Sequence, residues 1–94
     1  MSEAVTWREA ALNDLARIVQ HIFEENPIAA RQIGRELLLA GDSLTMFPRR
    51  GHLGRIQGTR ELLAVRPYII VYEVTEDGNV AILRVWHGAQ SRRE

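Results

Sequence analysis

Residues 68–87 read YIIVYEVTEDGNVAILRVWH, two runs of β-branched and aromatic residues on either side of TEDGN (75–79). Asp77-Gly78 between such runs is a hairpin signal, because a backbone that must turn through positive φ favours these residue types. Five intervening residues predict a longer or bulged turn rather than a two-residue one. Upstream, ELLAV (61–65) and a turn at Arg66-Pro67 add a third strand, so this half of the chain predicts an antiparallel meander.

The preceding half carries a different period. From about Arg8 to Glu25 the apolar residues Ala11, Leu15, Ile18 and Ile22 recur at helical spacing, with Leu12, Val19 and Phe23 widening the stripe. Thr6-x-x-Glu9 has the form of a capping box at its start. Asn26-Pro27 closes this helix and opens another, since proline disfavours helical geometry in the residue before it yet suits the first turn after an Asn cap. In the second helix Ala30, Ile33, Leu37, Ala40, Leu44 and Phe47 alternate steps of three and four, the seam of two helices packed nearly antiparallel, and Pro48 is the expected stop. A short β-prone segment, Glu3 to Trp7, precedes the first helix. The predicted order is β-αα-βββ, an α+β fold in which a helical hairpin packs on a sheet. Ninety-four residues suit one domain spanning 1–94, a size at which roughly two-thirds of the unfolded surface is buried.

Bulk properties exclude several classes. No apolar run approaches the roughly 18 residues that span a bilayer, and MSEAVTWREA is no secretory signal, so a cytoplasmic protein without membrane contact is expected. The absence of cysteine rules out a thiolate nucleophile and Cys-based zinc. His21, His52 and His87 show no paired spacing, so neither metal nor cofactor is expected; His21 reads as solvated, beside Glu25 at i+4.

The formal charge of zero conceals an asymmetry, because residues 1–47 carry net −3 and residues 48–94 net +3. Between Arg49 and Arg66 five arginines face only Glu61, and three of the five lie in PRRGHLGRIQGT (48–59), a stretch that reads as an exposed loop of about a dozen residues. All twelve cations are Arg. Guanidinium suits bidentate contact with carboxylate or phosphate, although genomic base composition explains the bias equally well.

Asn26-Pro27 with Ala29-Ala30, GTREL (58–62), PYIIVYEV (67–74) and ILRVWHGAQ (82–90) together resemble the RelE/ParE superfamily of bacterial toxins, on its ParE-like side, over nearly the whole chain. The resemblance implies a toxin held inactive by a cognate ParD-like antitoxin, with operator DNA met only through that antitoxin. It also implies one of two targets. RelE-type members are ribosome-dependent mRNA endoribonucleases; ParE-type members act on DNA gyrase. The nucleases carry an Arg in the third strand where this chain has Ile69, and an Arg or Tyr after the last strand where it has Gly88. His87 coincides with a histidine some of them use.

Cleaving RNA requires a base for the 2′-hydroxyl, cations for the charge on phosphorus and an acid for the leaving oxygen. His87 could act as base or acid and Arg84 as cation, but residues three apart in a strand point to opposite faces unless a bulge intervenes near Gly88. The competing readings of His87 are a strand-end residue half covered by Trp86 and a partner contact. The favoured expectation is gyrase inhibition by direct contact, with no catalytic residue and with Arg84, Trp86 and His87 facing the target; His87 becomes catalytic only under the nuclease alternative. The antitoxin is expected at Leu15 and Ile22 on the helices and at Arg49, Arg50, Arg55 and Arg60.

Overall fold

The computed structural model describes residues 4–88; Glu3, Ala89, Gln90 and the Arg92–Arg93 pair lie outside them. The chain runs β1 (Val5–Trp7), α1 (Glu9–Phe23), α2 (Pro27–Asp42), a 3-10 turn (Ser43–Thr45), β2 (His52–Leu53), β3 (Arg60–Val65), β4 (Tyr68–Val74) and β5 (Val80–His87). The expected α+β order is present, with β2 as an addition inside the stretch read as loop. The sheet order is β1-β5-β4-β3-β2. Neighbours pair antiparallel except β1, which lies parallel to β5 with Val5 opposite Val80 and Trp7 opposite Ile82.

The hairpin that decides the fold closes as five residues between the Val74–Val80 pair. Thr75 N–H donates to the Asn79 carbonyl at 2.8 Å, and Gly78 takes φ +89°, where a side chain would strain the turn. Asn79 also ties in β1, accepting from the Ala4 N–H at 2.9 Å.

Asn26 caps α2 as its sequence implies, its side chain accepting the Ala29 N–H at 3.0 Å. The capping box does not form. Thr6 is held extended by pairing with Ala81, and Arg8 N–H donates to the Ile82 carbonyl, so Arg8 is the N-cap and has no side-chain cap bond. The helical seam also ends early. Tightening of the last turn at Ser43–Thr45 keeps Leu44 in the core but rotates Phe47 out, leaving it 60% exposed.

One face of the sheet meets the helices around Ala11, Leu15, Leu37, Leu44, Leu62, Ile70, Tyr72, Val80, Ile82 and Val85. Small residues set the distances between layers. A Cβ on Gly34 would meet Val19 at 3.0 Å, and one on Gly41 would meet the Trp7 ring at 2.5 Å and Ile82 at 2.8 Å. Trp7 is therefore packed beneath α2.

Candidate functional site

Two polar constructions stand out, one at β5 and one beneath the basic loop. β1 pairs with β5 only as far as Ile82, and α1 continues along the strand beyond that point. Val85 N–H, directed away from β4, would otherwise be orphaned. The Asp14 carboxylate accepts it at 2.9 Å and takes Arg84 in a two-pronged contact, Nε at 2.7 Å and a terminal nitrogen at 3.0 Å. Arg17 stands 3.7 Å away on the other oxygen. Burial alone would raise the Asp14 pKa, but the Arg84 hydrogen bond, the Val85 N–H and the charges of Arg84 and Arg17 outweigh it and hold the carboxyl below its usual value. The hydrogen bond from Arg84 to Asp14 in turn raises the Arg84 pKa, so the guanidinium stays cationic.

Asp14 escaped the sequence reading, although its position carried a signal: it lies three residues after Ala11 and next to Leu15, inside the apolar stripe. A carboxylate placed there and buried requires a cation. That cation is Arg84, seventy residues downstream.

The expectation about Arg84 and His87 is sharpened by the register. A bulge does occur in β5, but at Leu83, since Val71 faces Arg84 while Tyr72 faces Ile82. From Arg84 to His87 the pairing runs without interruption, so the two residues fall on opposite sides of the strand. His87 is exposed and rests on one side against Tyr68, its direct partner on β4, with ring centroids 5.5 Å apart in an edge-on contact. This corrects the expected cover from Trp86, a chain neighbour that alternation sends to the other face. Trp86 shares its cross-strand row with Ile69 and Leu63. Gly88 N–H donates to the Pro67 carbonyl at 2.6 Å, closing the strand end on the β3–β4 turn.

The Arg-rich stretch is a built structure rather than an open loop. Tyr72, buried on β4, donates its hydroxyl to the Pro48 carbonyl at 2.7 Å and accepts the Gly51 N–H at 2.9 Å. The tyrosine hydroxyl that reaches this loop is thus that of Tyr72. Gly51 is packed so closely that a Cβ would lie 2.7 Å from the Glu61 carbonyl oxygen. Arg60 donates to the Gly51 carbonyl at 2.7 Å, and Arg50 to the Ser43 hydroxyl at 2.8 Å. Buried Glu61 accepts both the backbone N–H and Nε of Arg55, at 3.2 and 3.3 Å. Among the described residues Arg49 has no side-chain partner.

Of the residues expected to meet an antitoxin, the arginines are gathered at one end of the sheet and Ile22 is half-buried near the end of α1. Leu15 is a correction. It is 8% exposed, because its side chain fills the space between α1 and the sheet, so it offers a partner almost nothing. The exposed large apolar residues of the hairpin are Leu12, Phe23, Ile28, Leu38 and Leu39 instead. His21 and His52 are exposed; His52 Nδ1 lies 3.0 Å from the Leu53 carbonyl oxygen. No group of three His, Asp or Glu side chains among the described residues could hold a metal ion, and no described helix is long and apolar enough to cross a membrane.

A strand, a helical hairpin and an antiparallel meander, with a basic loop locked to the sheet, are the architecture of a small toxin of the RelE/ParE superfamily. The chain belongs to the ParE toxin family of type II toxin–antitoxin systems, whose family model matches residues 5–92. It is similar to Toxin RelE2 of Caulobacter vibrioides, 42% identical over 86 residues covering 92% of this chain and 96% of that one. Toxin RelE1 of the same organism is 36% identical over 87 residues, covering 87% of this chain and 89% of that one. Among solved structures, the chromosomal ParDE system of P. aeruginosa superposes with a TM-score of 0.82 at 21% identity, over 92% of this chain and 96% of that one. The RelBE2 toxin–antitoxin complex of Mycobacterium tuberculosis gives 0.61 at 25% identity, over 93% and 99%. The chain is thus the toxin of a toxin–antitoxin pair, and a cognate antitoxin is its partner.

Proposed function

We propose that this toxin acts in the cytoplasm on DNA gyrase by direct protein contact, as one domain across residues 1–94, and makes and breaks no bond itself. The observation that carries this reading is the engagement of Arg84. A cation for RNA cleavage must be free to meet the developing charge on phosphorus. Here Asp14 already neutralises the guanidinium, and His87 lies on the opposite side of the strand against Tyr68. Ile69 and Gly88 stand where nuclease relatives place an Arg and an Arg or Tyr. The target-facing residues in this reading are Arg84, Trp86 and His87.

A second reading, a ribosome-dependent endoribonuclease, is favoured by the RelE names of the two Caulobacter relatives and by His87 itself. Supercoiling assays with purified toxin and gyrase, run beside toeprinting of translated mRNA, separate the two. Gyrase inhibition with intact mRNA is expected; cuts in the ribosomal A site with gyrase unaffected would sink the first reading. His87→Ala removes one contact of the target face and should weaken growth arrest only in part; complete loss of arrest in a variant whose circular dichroism is native favours the nuclease.

In the same reading the antitoxin covers exposed apolar surface on the helical hairpin and brings acidic residues to Arg49, Arg50, Arg55 and Arg60. Operator DNA is met through the antitoxin alone.

A further inference from the structure

The Val85 N–H needs an acceptor, but an uncharged one would serve it, and apolar packing often stabilises a fold as well as a buried ion pair does. The charge on Asp14 therefore acts chiefly on Arg84, and its action is directional. Nε and one terminal nitrogen of Arg84 meet the two carboxylate oxygens side-on, which fixes the plane of the guanidinium. A guanidinium held along that edge keeps its outer edge, formed by the two terminal nitrogens, for a second acceptor. With 46% of the side chain exposed, Arg84 remains within reach of a partner. We propose that Asp14 is a positioning residue for the target contact, and that the outer edge of Arg84, together with Arg17, receives a carboxylate of the target protein. The inference rests on the reading of Arg84 as target-facing, and adds what holds that residue and what it meets.

Three observations support it. The first is burial, because Asp14 lies beneath Arg84 and is itself out of a partner's reach, so any effect it has on the target passes through the guanidinium. The second is charge. Arg17, largely exposed, stands 3.7 Å from the same carboxylate oxygen that accepts the Arg84 terminal nitrogen. One carboxylate between two guanidinia leaves a single net positive charge, which suits one carboxylate, whereas a nucleic-acid backbone calls for several free cations. The third is the apolar neighbourhood. Trp86, two positions along and so on Arg84's side of the strand, is partly buried opposite Ile69, and a charge set beside apolar surface matches a protein interface.

Arg84 gives up its side-chain freedom on folding rather than on binding, so contact with the target does not carry that cost. Removing the charge of Asp14 returns the freedom to Arg84 without touching the target.

The test uses the full chain as wild type, Asp14→Asn, Arg84→Ala and the double variant, each shown folded by circular dichroism at the assay temperature, and reads the toxin concentration that halves gyrase supercoiling. Arg84→Ala should raise that concentration about tenfold and Asp14→Asn about fivefold. The double variant should match Arg84→Ala, because Asp14 then has nothing left to position. In Asp14→Asn the Arg84 Nε–H should exchange faster with solvent while the Val85 N–H keeps its protection, as followed by NMR. A double variant about fiftyfold weaker than wild type, the product of the separate losses, overturns the positioning role, as does an Asp14→Asn toxin of undiminished potency. Arg17→Ala should weaken inhibition about threefold. No change in that variant overturns the carboxylate site, and so does retention of duplex DNA by the toxin alone that depends on Arg17 and Arg84. If the wild type leaves gyrase active, the gyrase reading fails by itself; the same variants are then ranked by the inducer level that arrests growth, where the same non-additivity decides for or against Asp14.

Discussion

Replacing Asp14 with Asn would preserve the side chain's shape while removing the charge that Arg84 and the Val85 N–H both use. Because Arg84 is half exposed, its share is screened by water, and a loss of about 1–2 kcal/mol is expected in chemical denaturation. The pH dependence follows from the direction of the Asp14 shift. Its folded pKa lies below the ordinary 3.8, so the contribution is complete well above that value and disappears as pH falls through the folded pKa. Thermal melts should therefore show the wild type losing stability on acidification below about pH 4 more steeply than Asp14→Asn; parallel curves would mean that the pair contributes nothing. The apolar stripe made Asp14 visible as an anomaly, but no local rule names a partner seventy residues away. The same holds for Tyr72, whose burial follows from strand alternation while the carbonyl it meets depends on how the loop folds back.

At the scale of elements, the features set by neighbouring residues were the legible ones. The Asn26 cap, the helical hairpin and the five-residue turn at Asp77-Gly78 each answer to chemistry within a few positions. Where tertiary contacts compete with a local rule, the contacts prevail: pairing with β5 turns the Thr6 cap into strand, and tightening at Ser43–Thr45 removes Phe47 from a seam its spacing had included. β2 was hidden for a related reason, since two residues carry no periodicity and pair only because β3 is beside them. Gly41 illustrates the reverse case, a residue with poor helix propensity retained by packing. Gly41→Ala gains up to about 1 kcal/mol of propensity yet drives a methyl into Trp7 and Ile82, a clash worth about 1–3 kcal/mol. A net fall of a few degrees in melting temperature is expected, and a rise would show that Trp7 repacks freely.

Taken whole, the molecule separates its charge along the chain. The acidic half supplies the helices and the basic half supplies the loop and most of the sheet. If acidic residues of the antitoxin meet the arginines at the end of the sheet, raising salt from about 0.05 to about 0.5 M should weaken the complex, chiefly through slower association. Isothermal titration and stopped-flow measurements across that range check this, and a salt-independent rate would place the contact on apolar surface alone.

The parallel seat of β1 beside β5 also has a consequence for how the molecule is made. Val5–Trp7 finds its sheet neighbour only at Val80–Ile82, so the sheet's edge cannot close until nearly all of the described chain has been synthesised. Contacts of such sequence separation form late, after the local helical hairpin. The Asp14 clamp, which unites α1 with Arg84 and Val85, waits for the same event. Until the last strand arrives, a nascent chain holds its helices without the surface that the closed sheet supplies, and the ribosome making it carries an unfinished toxin.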